Sequence, residues 1–248
     1  MVFFVTAQEM VPELVTDRPD QTESSSVVPL KSLQIETGFI FESDNTRREK
    51  INTYNFNTTL LRYGLFERFE LRLGLAYLSE QSKNIDSASE KKINGLSPLY
   101  TGFKVLIADE NGCIPQIAFL GGLIFPITAK EEFKAPYTAP VMRFAFSHTL
   151  SEKLSLGYNL GAEWYGENAI PDYYYSIALG IAVTNKLGAF IESFGLIPES
   201  GEPSHLADAG FTYLVLPNLQ LDFSGGLGLN KNASDGFIGF GVSYRIPR

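Results

Sequence analysis

The alternation of apolar and polar residues over the last thirty positions sets the reading of the whole chain. Leu219, Leu221, Phe223, Leu227 and Leu229 share one parity, while Gln220, Asp222, Ser224, Gly226 and Gly228 share the other. After residues 230–235 the pattern resumes, with Ile238, Phe240, Val242, Tyr244 and Ile246 against Gly239, Gly241, Ser243 and Arg245. A period of two describes a strand with one apolar and one polar face. Strands of soluble sheets usually run about five or six residues. Runs of about ten, tilted near 45°, span a hydrocarbon layer. The pair reads as a transmembrane hairpin.

The same alternation recurs from residue 32 onward. Strands are predicted at residues 32–43, 51–63, 69–79, 96–107, 114–126, 137–150, 154–165, 175–183, 187–196 and 204–214, before the closing hairpin. The third is the clearest, with Leu71, Leu73, Leu75 and Tyr77 against Glu70, Arg72, Gly74 and Ala76. The fifth is apolar on both parities, which leaves its facing open. Residues 80–94 and 127–136 read as polar loops. Connections after even-numbered strands are short, and those after odd-numbered strands are mostly longer and more polar. An even strand number with short turns at one end is the habit of outer-membrane barrels. The expected fold is all-β: a closed antiparallel transmembrane β-barrel of about twelve strands, residues 32–248, preceded by an irregular N-terminal segment.

Closure follows from solvation, because a sheet edge in lipid would leave N–H and C=O groups without partners. The first and last strands must pair. The parity then points Glu36, Arg62, Glu70, Arg72, Lys104, Arg143, Glu163, Glu192, Asp208, Asp222 and Arg245 into the lumen. Arg or Lys facing lipid at the midplane would cost roughly 2–4 kcal/mol, which supports that facing. Five of the eleven are basic and six acidic, so they can neutralise one another in a salt-bridge lattice. The competing reading is a path for polar groups of a solute. Tyr63, Tyr77, Trp164, Tyr165, Tyr173, Tyr213 and Tyr244 near strand ends fit interfacial girdles.

Composition narrows the class further. Charged residues are 19% and aromatics 13%, yet the mean hydropathy is −0.01, as a barrel with a greasy outside and polar inside would average. A net charge of −8 argues against nucleic-acid binding. One cysteine, Cys113, and two histidines, His148 and His205, supply no disulfide framework and no metal site, and no cofactor is implied. Ser147 and His148 are neighbours, so in a strand they face opposite sides and cannot form a nucleophile–base pair. The chain is not expected to be an enzyme.

Residues 1–7 read as a signal-peptide remnant ending Val5-Thr6-Ala7. Residues 8–31 carry Pro12, Pro19 and Pro29 without periodicity and form an irregular segment, either periplasmic or plugging the lumen. Its Asp17, Arg18, Asp20 and Glu23 are the candidate plug or gate residues, with Arg18 free to dock on Glu163, Glu192, Asp208 or Asp222.

Two stretches carry a resemblance. Thr16-Asp17-Arg18-Pro19-Asp20-Gln21-Thr22-Glu23-Ser24-Ser25, then Val28-Pro29 and Leu33-Gln34-Ile35-Glu36-Thr37-Gly38, resemble the entry to a family of outer-membrane transporters described for the meta-pathway of phenol degradation. Residues 60–65 with Glu70-Leu71-Arg72 are similar to its next block, and Lys31 stands where glycine is expected. The resemblance implies a barrel in the outer membrane of a Gram-negative bacterium that passes small, often hydrophobic or aromatic compounds. It brings no catalytic or binding residues. Gly241, Tyr244 and Ile246 look like the insertion signal read by the barrel-assembly machinery. The expected partners are the lipid bilayer, that machinery and a small-molecule solute. The alternative function is a non-conducting barrel that binds a protein partner through residues 80–94 and 127–136. A soluble lipid-binding β protein is the third reading.

Overall fold

The computed structural model describes residues 12–46 and 48–246, so the signal-peptide expectation for residues 1–7 lies outside the described residues. Thirteen strands follow one another: β1 (Leu33–Asn45), β2 (Glu49–Phe66), β3 (Phe69–Asn84), β4 (Glu90–Leu96), β5 (Leu99–Ala108), β6 (Gln116–Phe125), β7 (Ala139–Thr149), β8 (Leu154–Glu163), β9 (Asp172–Ala182), β10 (Leu187–Pro198), β11 (Ser204–Leu216), β12 (Leu219–Gly228) and β13 (Gly236–Arg245). Every pairing between them is antiparallel. β1 pairs with both β2 and β13, from Gln34↔Arg245 to Ser43↔Gly236 along the seam, and this closes a twelve-stranded barrel.

β4 stands outside the ring. It pairs only with the upper part of β3, Tyr77 to Lys83, while β5 takes the lower part, Phe69 to Gly74. Residues 80–94 are therefore a projecting hairpin rather than a loop. Their two faces are both polar, so hydrophobic alternation carries no signal for a strand there. β6 also resolves: Ala118 and Leu120 are buried inward, while Leu123 is exposed on the opposite parity.

The outer surface is apolar. Leu71, Phe144, Ile177, Ile191, Phe211, Phe223 and Phe240 are all exposed there, as a lipid-facing wall requires. Aromatic rings run across neighbouring strands, with centroids 5.6 Å apart for Phe69–Phe103, 6.0 Å for Phe103–Phe119 and 5.0 Å for Phe119–Phe144. Such cross-strand pairs each add a few tenths to about 1 kcal/mol to the sheet.

The chain enters the barrel wall through a tight bend. Leu30 bridges Gly64 in parallel, Lys31 N–H donates to the Gly64 carbonyl at 2.6 Å, and Gly64 N–H donates to Ser32 at 3.1 Å. The bend puts Lys31 at φ 59°, in the left-handed region that favours glycine. The lysine found where the family resemblance expects glycine is thus a strained residue. Lys31→Gly is expected to raise stability by about 0.5–1 kcal/mol, the left-handed penalty less the entropy glycine adds to the unfolded chain. Urea unfolding of the two proteins in the same lipid vesicles measures it.

Candidate functional site

Residues 12–32 run inside the barrel. The segment enters at the end with the short turns, where Arg245 donates to the Glu13 carbonyl at 2.9 Å and also to that of Pro12. It rises to mid-barrel, where Glu23 N–H donates to Asn159 Oδ1 at 2.7 Å and Asn159 Nδ2 returns a bond to the Glu23 carbonyl at 3.0 Å. It then descends past β3, with Val28 N–H on Glu70 Oε2 at 2.7 Å. Proline and polar residues keep the segment from forming strand or helix of its own, so wall side chains satisfy its main chain. Ser25 bonds Gln116 and Ser147 at 2.7 Å, and Tyr174 OH donates to the Gln21 carbonyl at 2.8 Å.

One side of the lumen is a charge lattice centred on Asp17. Its carboxylate meets Arg72 at 2.6 Å, Lys104 at 2.8 Å and Arg62 at 3.1 Å. Its N–H donates to Glu36 at 3.0 Å. Arg62 also spans Glu36 and Glu70, both at 2.8 Å, and Arg72 reaches Glu70 at 3.1 Å and Glu23 at 2.7 Å. Arg62, Lys104, Glu36 and Glu70 are 0% exposed, so each depends on the others: removing one partner would leave an uncompensated buried charge. Nearby, Arg143 bonds Glu163 while its guanidinium lies 3.8 Å above the Tyr174 ring.

The opposite side is acidic. Glu192 and Asp208 are direct cross-strand partners, and both are buried. Glu192 accepts from Gln21 N–H at 2.8 Å and from the Thr22 hydroxyl. Arg18 crosses to this side. It forks onto Asp222 at 2.9 and 3.3 Å and reaches Thr58 at 3.2 Å. Of the four acids open to Arg18 in the sequence, Asp222 holds it. Asp20 forms no ion pair among the described residues.

Space remains above and below the segment. A cavity of about 280 Å³ touches Glu23, Leu60, Arg72, Tyr100, Arg143 and Glu163. Tyr100 and Ile124 also line an outer cavity of about 370 Å³, ringed by Phe133, Tyr137, Trp164 and Tyr165. At the short-turn end a third, about 370 Å³, lies between residues 13–20 and the wall. A hollow of about 860 Å³ is lined mainly by lipid-facing residues such as Leu61, Leu71 and Phe103, and belongs to the outer wall.

Of the eleven charges expected inward, Glu36, Arg62, Glu70, Arg72, Lys104, Glu192, Asp208, Asp222 and Arg245 are buried, and Arg143 and Glu163 line the 280 Å³ cavity. Sequence reasoning missed the neutral residues that hold the segment, Gln34, Gln116, Asn159 and Gln220; inward parity was the available signal for Gln34, Asn159 and Gln220, while Gln116 lies in the strand whose facing was open. It also missed why Gly241 is small. Together with Gly38 it makes room for the Arg18 guanidinium: a Cβ on Gly38 would lie 2.5 Å from Arg18 Nη2. Tyr244 and Ile246 face outward and are exposed. His148 stacks on Tyr158, and His205 hydrogen-bonds Tyr175 at 2.7 Å.

The comparisons agree on the architecture. An outer-membrane channel from Pseudomonas putida F1 superposes with a TM-score of 0.71 at 11% identity, covering 90% of this chain and 98% of that one. The NanC porin gives 0.53 at 9% identity, covering 86% and 100%. The transport unit of the autotransporter AIDA-I from Escherichia coli gives 0.54 at 12%, covering 86% and 89%. These likenesses establish the fold, that of outer-membrane β-barrels. No curated protein matches the chain. A family model described as "Putative MetA-pathway of phenol degradation" matches residues 16–246, from the aspartate–arginine entry of the lumen segment to the closing strand, and the chain belongs to that family.

Proposed function

We propose that the protein is a passive outer-membrane channel for small solutes, hydrophobic or aromatic ones included, whose lumen is closed by the N-terminal segment. The observation that carries this reading is how the segment is held. Apart from the bend at residues 30–32, its bonds to the barrel run through side chains, so it can leave without breaking the strand ladder. Asp17, Arg18 and Glu23 are its latches, and Asp20 sits beside the acidic wall. The aromatic outer cavity is where a ring-bearing solute would enter. The last strand, with Gly241, Tyr244 and Ile246, serves insertion by the assembly machinery.

The projecting β3–β4 hairpin favours the second reading, a barrel that binds a protein partner at its outer end. Planar-bilayer recording of the full chain separates the two. Rare, small openings are expected, becoming frequent when mild urea loosens the segment. A folded barrel that stays silent under both conditions and admits no solute in liposome swelling would favour the partner-binding barrel.

A further inference from the structure

We infer that Arg62, Arg72 and Lys104 form a carboxylate-binding site for the solute, occupied in the closed state by the chain's own Asp17 and Glu23. This rests on the channel reading above. The Asp17 carboxylate sits among three cations, at 2.6, 2.8 and 3.1 Å, and Glu23 lies 2.7 Å from Arg72. When the segment leaves, the wall alone supplies Glu36 and Glu70 against those three cations, an excess of one positive charge. An unpaired charge in a buried site is costly, so an anion that replaces the segment's acids is favoured there.

Access is on the outer side. Arg72 and Glu23 line the 280 Å³ cavity, which shares Tyr100 and Ile124 with the aromatic outer cavity. The Glu23 side chain is 21% exposed and that of Asp17 is 3%, so Glu23 is exchanged first. Arg72 Nη2, which donates to Glu23 at 2.7 Å, is the donor that an incoming carboxylate would take over. Leu60, Leu120, Ile124 and Tyr100 line the same cavity and would cover an apolar body. The ligand class is a monocarboxylate with a short apolar or aromatic group, which binds by displacing the segment's own carboxylates.

Isothermal titration of the full chain in detergent with benzoate and with benzamide, its neutral isostere, tests the site. Glu23→Gln keeps the shape of the segment and removes the competing charge. It is expected to bind benzoate about tenfold more tightly than the wild type, the worth of one charge-assisted hydrogen bond, with benzamide unchanged. Lys104→Met in the Glu23→Gln background is expected to erase that gain. Equal benzoate affinity in wild type and Glu23→Gln, or benzamide rising in parallel, would overturn the site. A benzoate gain with silent bilayers upholds the site and counts against the channel reading alone.

Discussion

Replacing Arg62 by methionine is expected to lower the stability of the folded barrel by about 3–5 kcal/mol, the cost of breaking a buried ion pair from one side. Arg62 donates from Nε and Nη2 to Glu70, from Nη1 to Glu36 at 2.8 Å, and from Nη2 to the Ser26 carbonyl at 3.0 Å. It also lies 3.1 Å from Asp17. One side chain thus joins β1, β2, β3 and the lumen segment. Methionine fills most of the volume but leaves Glu36 and Glu70 with less positive charge than they need. The loss is bounded because Glu36 keeps Gln34 at 2.8 Å and the Asp17 N–H, while Glu70 keeps Arg72 and the Val28 N–H. Arg62→Lys should fall between, since an ammonium supplies the charge but cannot make the forked contacts. Urea titration in lipid vesicles, followed by heat-modifiable gel mobility, reads the order wild type, Arg62→Lys, Arg62→Met. Equal midpoints for all three would mean that lumen water, rather than the lattice, satisfies the acids.

The lattice was legible in outline because lipid makes facing unambiguous. A charge on the outer wall is penalised at every depth near the midplane, so parity alone assigned Glu36, Arg62, Glu70, Arg72 and Lys104 inward. Which charge meets which was not legible. Arg62 meets Glu70 through the register of neighbouring strands β2 and β3, but Asp17 reaches Lys104 across 87 residues of sequence, and Arg18 reaches Asp222 across 204. Local pattern carries no information at such separations. Residues 12–32 have no periodicity because their bonds go to side chains of the wall rather than to a repeating partner. β4 was hidden for a different reason: beyond the barrel rim both faces of the β3–β4 hairpin are polar. Gly38 and Gly241 looked like ordinary small inward residues, and only the Arg18 guanidinium between them gives their size a cause.

Arg18→Ala is expected to raise the ratio of open to closed channel by roughly 30- to 100-fold, the equivalent of about 2–3 kcal/mol for a charged hydrogen-bonded contact. Arg18 is the segment's one bond to the acidic side that carries a positive charge, and Asp222 receives hydrogen bonds from no other described residue. Without it the apex of the segment faces Glu192, Asp208 and Asp222 with no cation, while Asp17 and Glu23 still hold the basic side. The segment should swing rather than leave, so single-channel records should show longer openings, and protease added from the short-turn side should cut within residues 12–31 faster. Barrel stability should fall by no more than about the same 2–3 kcal/mol, because no strand pairing involves Arg18. Asp222→Asn should reproduce much of the effect, and the double variant should add little to either, since both remove the same contact. Gly241→Ala offers an independent route: the three atoms nearest its Cβ all belong to the Arg18 guanidinium, so the methyl group would expel it without touching any charge. If Arg18→Ala, Asp222→Asn and Gly241→Ala all leave current and cleavage unchanged, Arg18 fastens a tether at the periplasmic side and the gate lies elsewhere.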